Sequence, residues 1–359
     1  MKKIIILLFL IVNNISNAQF TSNLFSIVHN FNSGNQINRI ATINADSGLV
    51  TNISNQTIDG TFYLTSSAFN ASGNKLYYIS NNSSIVAFDS SDGTISQTPL
   101  INFYNGISYF DNVNFCISNN TLYGLFRPFD SNFNSNGIFF AKADLQTGNV
   151  TVISQGSIAS NYQVAGTVID PKLMVYYFKT GSKFLGIDLY NGSIYSNPDV
   201  IYTNGDFDFA NFSYNCEDNT IYGLVREMTT IQNPNAPEGV NLQYMRFAKI
   251  DPVTGVVVRI SNVPLPTSFY SANAGSTINP NDNLFYYSDS EKLYGISLLT
   301  GLVEVEELLI KNTGDVINFL NNLNYKIIHV SYNNMFLAEY NQYLEEHNDK
   351  KFKIIINNE

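Results

Sequence analysis

Phe140-Ala141-Lys142-Ala143-Asp144-Leu145-Gln146-Thr147-Gly148-Asn149-Val150-Thr151-Val152 reads as an apolar strand, a five-residue turn closed by glycine, and a second strand. The turn pattern of a polar residue, two free positions, a small polar residue and glycine recurs at Asn44 to Gly48, Asp89 to Gly93, Asp188 to Gly192, Asp251 to Gly255 and Ser297 to Gly301. Asp, Asn or Ser accepts a local backbone N–H to start a type I turn. Glycine then takes the positive φ that lets the second strand leave in register. The six glycines lie 44 to 63 residues apart, a period that marks propellers or solenoids.

Each interval carries a further strand pair, in Ala68 to Ser80, Asn112 to Phe126, Thr167 to Phe178, Asn211 to Val225 and Ser276 to Ser288. Four strands per repeat make a propeller blade. Short and long repeats alternate. Among the short ones, Ala165-Gly166-Thr167-Val168-Ile169-Asp170-Pro171 parallels Ala274-Gly275-Ser276-Thr277-Ile278-Asn279-Pro280. Among the long ones, Asn105-Gly106 leads to Asn120-Thr121-Leu122-Tyr123-Gly124-Leu125 just as Asn204-Gly205 leads to Asn219-Thr220-Ile221-Tyr222-Gly223-Leu224. A two-blade ancestor accounts for this alternation. The expected fold is an all-β propeller of four-stranded blades, seven in the main reading with six or eight as alternatives. In the seven-blade reading Val316 to Leu320, Tyr325 to Ser331, Met335 to Tyr340 and Phe352 to Ile356 form a last blade, and chain-terminal strands close the ring. Met335 to Leu344 also fits helical spacing.

Asn70-Ala71-Ser72-Gly73-Asn74-Lys75-Leu76-Tyr77-Tyr78-Ile79-Ser80, followed by Ile85-Val86-Ala87-Phe88-Asp89 and Asp92-Gly93, resembles a blade of the YVTN and quinoprotein-like β-propellers. The resemblance implies a ring of blades with any ligand on one face of the axis. It implies no activity, because quinone-cofactor members stack the cofactor on a Trp and this chain has none. The Trp-Asp dipeptide of tryptophan–aspartate repeat blades and the paired glycines of kelch blades are missing too. No cofactor is expected.

The chain opens with Lys2-Lys3, the apolar run Ile4 to Val12, and Ser16-Asn17-Ala18 before Gln19. This reads as a signal peptide over 1–18, followed by a single propeller domain over 19–359. The apolar run is half of what a membrane anchor requires. The expectation is a secreted, extracellular, monomeric protein without a membrane span. Its formal net charge is −10, and −12 once Lys2 and Lys3 are removed, which argues against a nucleic-acid partner. Asn-x-Ser/Thr sequons at Asn52, Asn55, Asn70, Asn81, Asn82, Asn119, Asn149, Asn191 and Asn211 are glycan sites wherever the secretory pathway glycosylates. Cys116 and Cys216 fall in blades that are not neighbours, so two separate buried thiols are expected.

No diagnostic catalytic signature is present. His29 and His329 approach each other only if the ring closes there, too few ligands for zinc, and His347 sits in a charged stretch near the C-terminus. Asp206 and Asp208 enter an inner strand as a lone Asp-x-Asp, short of the six to eight oxygens calcium takes. Asp130-Ser131-Asn132-Phe133-Asn134 begins like an EF-hand loop but has Ser135 in place of the required glycine. No metal is expected. Arg127 and Arg226 follow the repeated Tyr-Gly-Leu strand at matched positions and open the two longest insertions, 127–137 and 226–243. Both insertions rise from one face, where loops of this length are usually functional. The competing reading has the two arginines cover aromatic strands and pair with Asp130 or Glu227. Tyr104 and Tyr202, just ahead of the two Asn-Gly turns, complete the candidate set. The reading is a non-enzymatic propeller that binds a glycan, peptide or protein on that face. The alternatives are a hydrolase or lyase using carboxylates near the axis, and a structural surface or matrix protein.

Overall fold

In the computed structural model the described residues are 23–319, apart from 33–34, 60–61, 71–72, 81–83, 98, 103–107, 130–136, 161–163, 233–240, 267–275, 289–291 and 310–314. The segment read as a signal peptide, Tyr104, His329 and His347 lie outside them. Strands form six sheets, antiparallel but for one short parallel pair in the fifth, with one 3-10 turn at Ile117–Asn119 and no α-helix among the described residues. Blade 1 holds β1 (Asn23–Asn32), β2 (Asn35–Asn44), β3 (Val50–Asn52) and the short β4 (Ile58–Asp59). Blade 2 holds β5 (Phe62–Asn70), β6 (Lys75–Ser80), β7 (Ser84–Asp89) and β8 (Ile95–Gln97). Blade 3 holds β9 (Ser108–Cys116), β10 (Thr121–Pro128), β11 (Phe139–Ala143) and β12 (Val150–Val152). Blade 4 holds β13 (Val164–Asp170), β14 (Val175–Thr180), β15 (Lys183–Asp188) and β16 (Ile194–Ser196). Blade 5 has five strands: β17 (Ile201–Tyr202), β18 (Asp206–Asn215), β19 (Thr220–Gln232), β20 (Asn241–Ile250) and β21 (Val256–Arg259). Blade 6 holds β22 (Ser276–Asn279), β23 (Leu284–Ser288), β24 (Lys292–Ser297) and β25 (Val303–Leu308). Last comes β26 (Asp315–Phe319), which pairs antiparallel with β1.

Six blades therefore make the ring, the lower of the expected counts. The reason is β26: it supplies the missing inner strand of blade 1 and does not open a seventh blade, so a C-terminal strand closes the ring against the N-terminal one. The expected strands after Leu320 and the helical alternative over Met335 to Leu344 fall outside the described residues. The first strands of successive blades lie against one another, β5 on β9, β9 on β13, β13 on β18 and β18 on β22, which makes them innermost.

The core sits between blades. One apolar cluster joins blades 1 and 2 through Ile40, Tyr78 and Phe88. The next four join 2 to 3, 3 to 4, 4 to 5 and 5 to 6. A sixth joins 6 back to 1 through Leu284, Tyr286, Leu24 and Ile43. Aromatic rings run through these seams, as where Tyr123 stacks on Phe140 and Phe140 meets Tyr176 of the next blade at 5.1 Å. Each such pair adds about 0.5–1.5 kcal/mol to the area it buries. Tyr and Phe fill the seams of a chain without Trp.

The glycine turns behave as the sequence demands and do a second job. All six glycines have φ between +64° and +74° and donate to the carbonyl four residues back, as Gly148 does to Asp144 at 2.9 Å. Each is also pressed against the segment leaving the preceding blade. A Cβ at Gly48, Gly148 or Gly255 would fall on the carbonyl of Leu308, Leu100 or Asp199, and one at Gly93, Gly192 or Gly301 would strike Ser54, Ser154 or Ser261. Odd blades thus use one docking contact and even blades another. The alternation read from the sequence reappears as a two-blade unit repeated three times around the axis.

Cys116 is buried, as expected, and burial pushes its thiol up. Cys216 is exposed, contrary to expectation, because it lies just past the end of β18 in the turn toward β19. Both are free. Thiol titration of the native protein should find one rapidly reacting group and denaturation should reveal the second. Two fast groups in the native state would contradict the packing of Cys116 against Met174, whose sulfur lies 4.0 Å away.

Candidate binding face

Second strands end, and inner and third strands begin, on the face that carries the insertions, so strand ends converge there with charged side chains. In blade 3, Arg127 at the end of β10 pairs with Asp111 of β9, and its guanidinium lies 5.1 Å over the Tyr109 ring and 6.0 Å from that of Phe129. Tyr109 and Phe129 meet edge to face at 5.3 Å. In blade 5, Arg226 of β19 pairs with Asp208 of β18 and lies 4.7 Å over Phe207. The two arginines predicted as a matched pair therefore share one arrangement: placed over an aromatic ring and tied to an inner-strand aspartate. Such contacts add about 0.5–2 kcal/mol per arginine and hold the guanidinium plane in a fixed orientation. The Arg226 partner is Asp208 and not Glu227, while Asp130 lies outside the described residues.

Asp206 and Asp208 are the opening residues of β18 itself, not a loop before it. A backbone bulge separates their roles. Asp208 has φ +58°, which puts its carboxylate on Arg226 and, through its other oxygen, 3.4 Å from Lys179 at the end of β14. The Asp206 side chain is fully buried, with both its oxygens 2.8 Å from Nε of Arg259. Arg259 also reaches Glu227 at 3.1 Å and the Asn204 carbonyl at 3.2 Å. Glu227 in turn accepts from Arg246 Nε at 2.6 Å. Burial alone would raise the Glu227 carboxyl, but the hydrogen bonds from Arg246 and Arg259 outweigh it and hold it below the ordinary carboxylate value. A carboxylate depressed by folding stabilises the fold above its unfolded pKa and loses that contribution as pH falls through its folded value. The melting temperature should accordingly be flat from pH 8 down to about 5 and fall below about 4. In Arg246→Met the acid-side fall should be shallower, because the Glu227 carboxyl moves back toward its unfolded value and less stability is left to lose, and an unchanged acid limb would remove Glu227 from the account.

Tyr202 stands beside this cluster. Its hydroxyl oxygen accepts from the Phe209 N–H at 2.9 Å, and burial, with the nearby Asp208 charge, pushes its pKa up to about 12. Of the candidates named from sequence, Arg226, Asp208 and Tyr202 are gathered around the start of β18. Asp206 is turned into the neighbouring ion-pair network. Arg127 forms a separate group on blade 3. The sequence reading missed Lys179, Arg246 and Arg259, which come from three strands remote in the chain. The signal for Lys179 was there in the repeat: its positions in the other short blades are Ile79 and Ser288.

Among the described residues no group of three or more His, Cys, Asp or Glu side chains could hold a metal. No described helix is long and apolar enough to cross a membrane. No protein-family model matches the chain, and no curated protein matches it. Solved structures with a similar fold include Kuenenia stuttgartiensis hydrazine synthase, at 11% identity and a TM-score of 0.47 over 82% of this chain and 90% of that one. An oligogalacturonate lyase in complex with manganese matches at 11% identity and 0.45 over 79% and 85%. The dihydro-heme d1 dehydrogenase NirN in complex with DHE matches at 8% and 0.41 over 85% and 72%. The likeness is one of fold, and the propeller itself is read from strand register and the six interblade seams.

Proposed function

We propose that this chain is a secreted, non-enzymatic β-propeller that holds a glycan, or failing that a peptide or protein, on the insertion-bearing face. The observation that carries the reading is the commitment of the two candidate carboxylates: Asp206 is bound by Arg259, and Asp208 by Arg226 and Lys179. A general acid or base has to reach its substrate within hydrogen-bond distance, and the oxygens of these two carboxylates are already taken up by cations of the fold. The same pairing leaves two rigid platforms of guanidinium on aromatic ring, the kind of pre-ordered surface that recognition uses. Arg127→Ala together with Arg226→Ala should weaken binding to the glycans the wild type retains on an array by tenfold or more. Turnover of any retained glycan by the wild type, seen as new chain ends, would overturn the non-enzymatic reading in favour of the hydrolase or lyase alternative. Export is tested separately: the protein recovered from culture medium should begin at Gln19, and retention with an intact N-terminus would refute it.

A further inference from the structure

Lys179 is out of keeping with its surroundings. Every residue of β14 is buried, and the Lys179 side chain is only 8% exposed. An ammonium has three donors and needs them filled when it leaves water. Among the described residues its one hydrogen-bond partner is Asp208, at the long distance of 3.4 Å, and Asp208 already serves Arg226. Asp208 is thus shared by two cations, and it satisfies the ammonium only in part. The repeat supplies Ile79 and Ser288 at this place, so the fold has no need of a lysine there. A residue that breaks its local rule without a structural return points to function.

We propose, on the reading of this face as a binding surface, that Lys179 receives the carboxylate of an acidic sugar in the bound glycan, with Asp208 and Arg226 setting its position. A ligand carboxylate supplies acceptors for the remaining donors of the ammonium. Charge-assisted hydrogen bonds in a site shielded from water are among the stronger polar contacts a ligand makes. A peptide carboxylate fits the charge but not the surroundings. One common way for an extended peptide to dock is by adding to an open sheet edge. None is open beside Lys179, since β18, the innermost strand of blade 5, is packed between β13 and β22.

The test uses glucuronate-containing oligosaccharides, their carboxyl-reduced counterparts and an acidic peptide, titrated calorimetrically into the full mature chain. Wild type should bind the acidic oligosaccharide at least tenfold more tightly than the reduced one. Lys179→Ile, the residue of blade 2, should abolish that preference while the melting temperature holds or rises, because Asp208 keeps Arg226. Lys179→Arg should retain part of it, which a purely structural ion pair would not predict for binding. Equal affinity for acidic and reduced sugars, or a preference that survives Lys179→Ile, overturns the inference while leaving the binding face standing. Tighter binding of the acidic peptide overturns the sugar assignment. If no probe binds and the arginine variants lose nothing on the array, the proposed function falls with it. Should Lys179→Ile fail to fold, Lys179→Gln gives the same comparison with a neutral polar side chain.

Discussion

Gly148→Val is expected to destabilise the ring by about 2–5 kcal/mol, one of the two largest single-residue effects expected in the molecule. Two costs combine. The turn conformation, φ +73°, is one that a β-branched residue enters at about 1–2 kcal/mol. The new side chain would also meet the Leu100 carbonyl of the preceding segment, and forcing a packed backbone apart costs about 1–3 kcal/mol more. Gly181 separates the two. It has φ +57° in the turn between β14 and β15, and a Cβ there would meet nothing within 4 Å. Gly181→Val should therefore cost only the conformational part, about 1–2 kcal/mol. Paired denaturant titrations give the difference directly. Equal losses at the two sites would mean that the turn glycines do not dock blade to blade.

Arg259→Ala is the second large effect, at about 3–5 kcal/mol, because it strands the fully buried Asp206 carboxylate without its partner. Arg259→Ala with Asp206→Ala together should recover part of the loss, since the cost lies in the orphaned charge more than in the missing attraction. Thermal unfolding of the single and double variants measures it. If the double variant is as unstable as the sum of the two single ones, the pair is not coupled and the bidentate contact is not what holds the start of β18.

The turns were legible in the sequence because their chemistry is local: a side-chain acceptor and a positive-φ glycine four positions apart decide them. Strand alternation and the short–long rhythm followed from the same period. Blade count was not legible, because Val316 to Leu320 reads as a strand whichever sheet it joins, and only long-range pairing assigns it to blade 1. The face carrying Arg127 and Arg226 followed from meander geometry. Their partners did not, since Asp111 and Asp208 are chosen by bulges with left-handed residues at Asn112 and Asp208, which no local pattern announced. Lys179, Arg246 and Arg259 reach the site from three separate strands, and a reading confined to neighbours along the chain has no means of bringing them together. Asparagine abundance, counted at first as glycan sites, has a second physical source: Asn74, Asn120, Asn219 and Asn283 hold the left-handed position ahead of second strands.

The pairing of β26 with β1 also sets a timetable. Ser26 is registered against Phe319, so the last described strand must be available before the first blade is whole. Bringing ends so far apart together carries a loop-closure cost of about 5 kcal/mol on a freely jointed chain, unless the intervening blades have already stacked and shortened the gap. The expected order of assembly has blades 2 to 6 accumulating first and the seam at blade 1 sealing last. A chain still being synthesised is an open arc with two unpaired edges, held incomplete until residue 319 emerges. Refolding should show a late, slow phase that reports on β1 and β26 alone, and a seam at blade 1 that forms as fast as the others would refute that order.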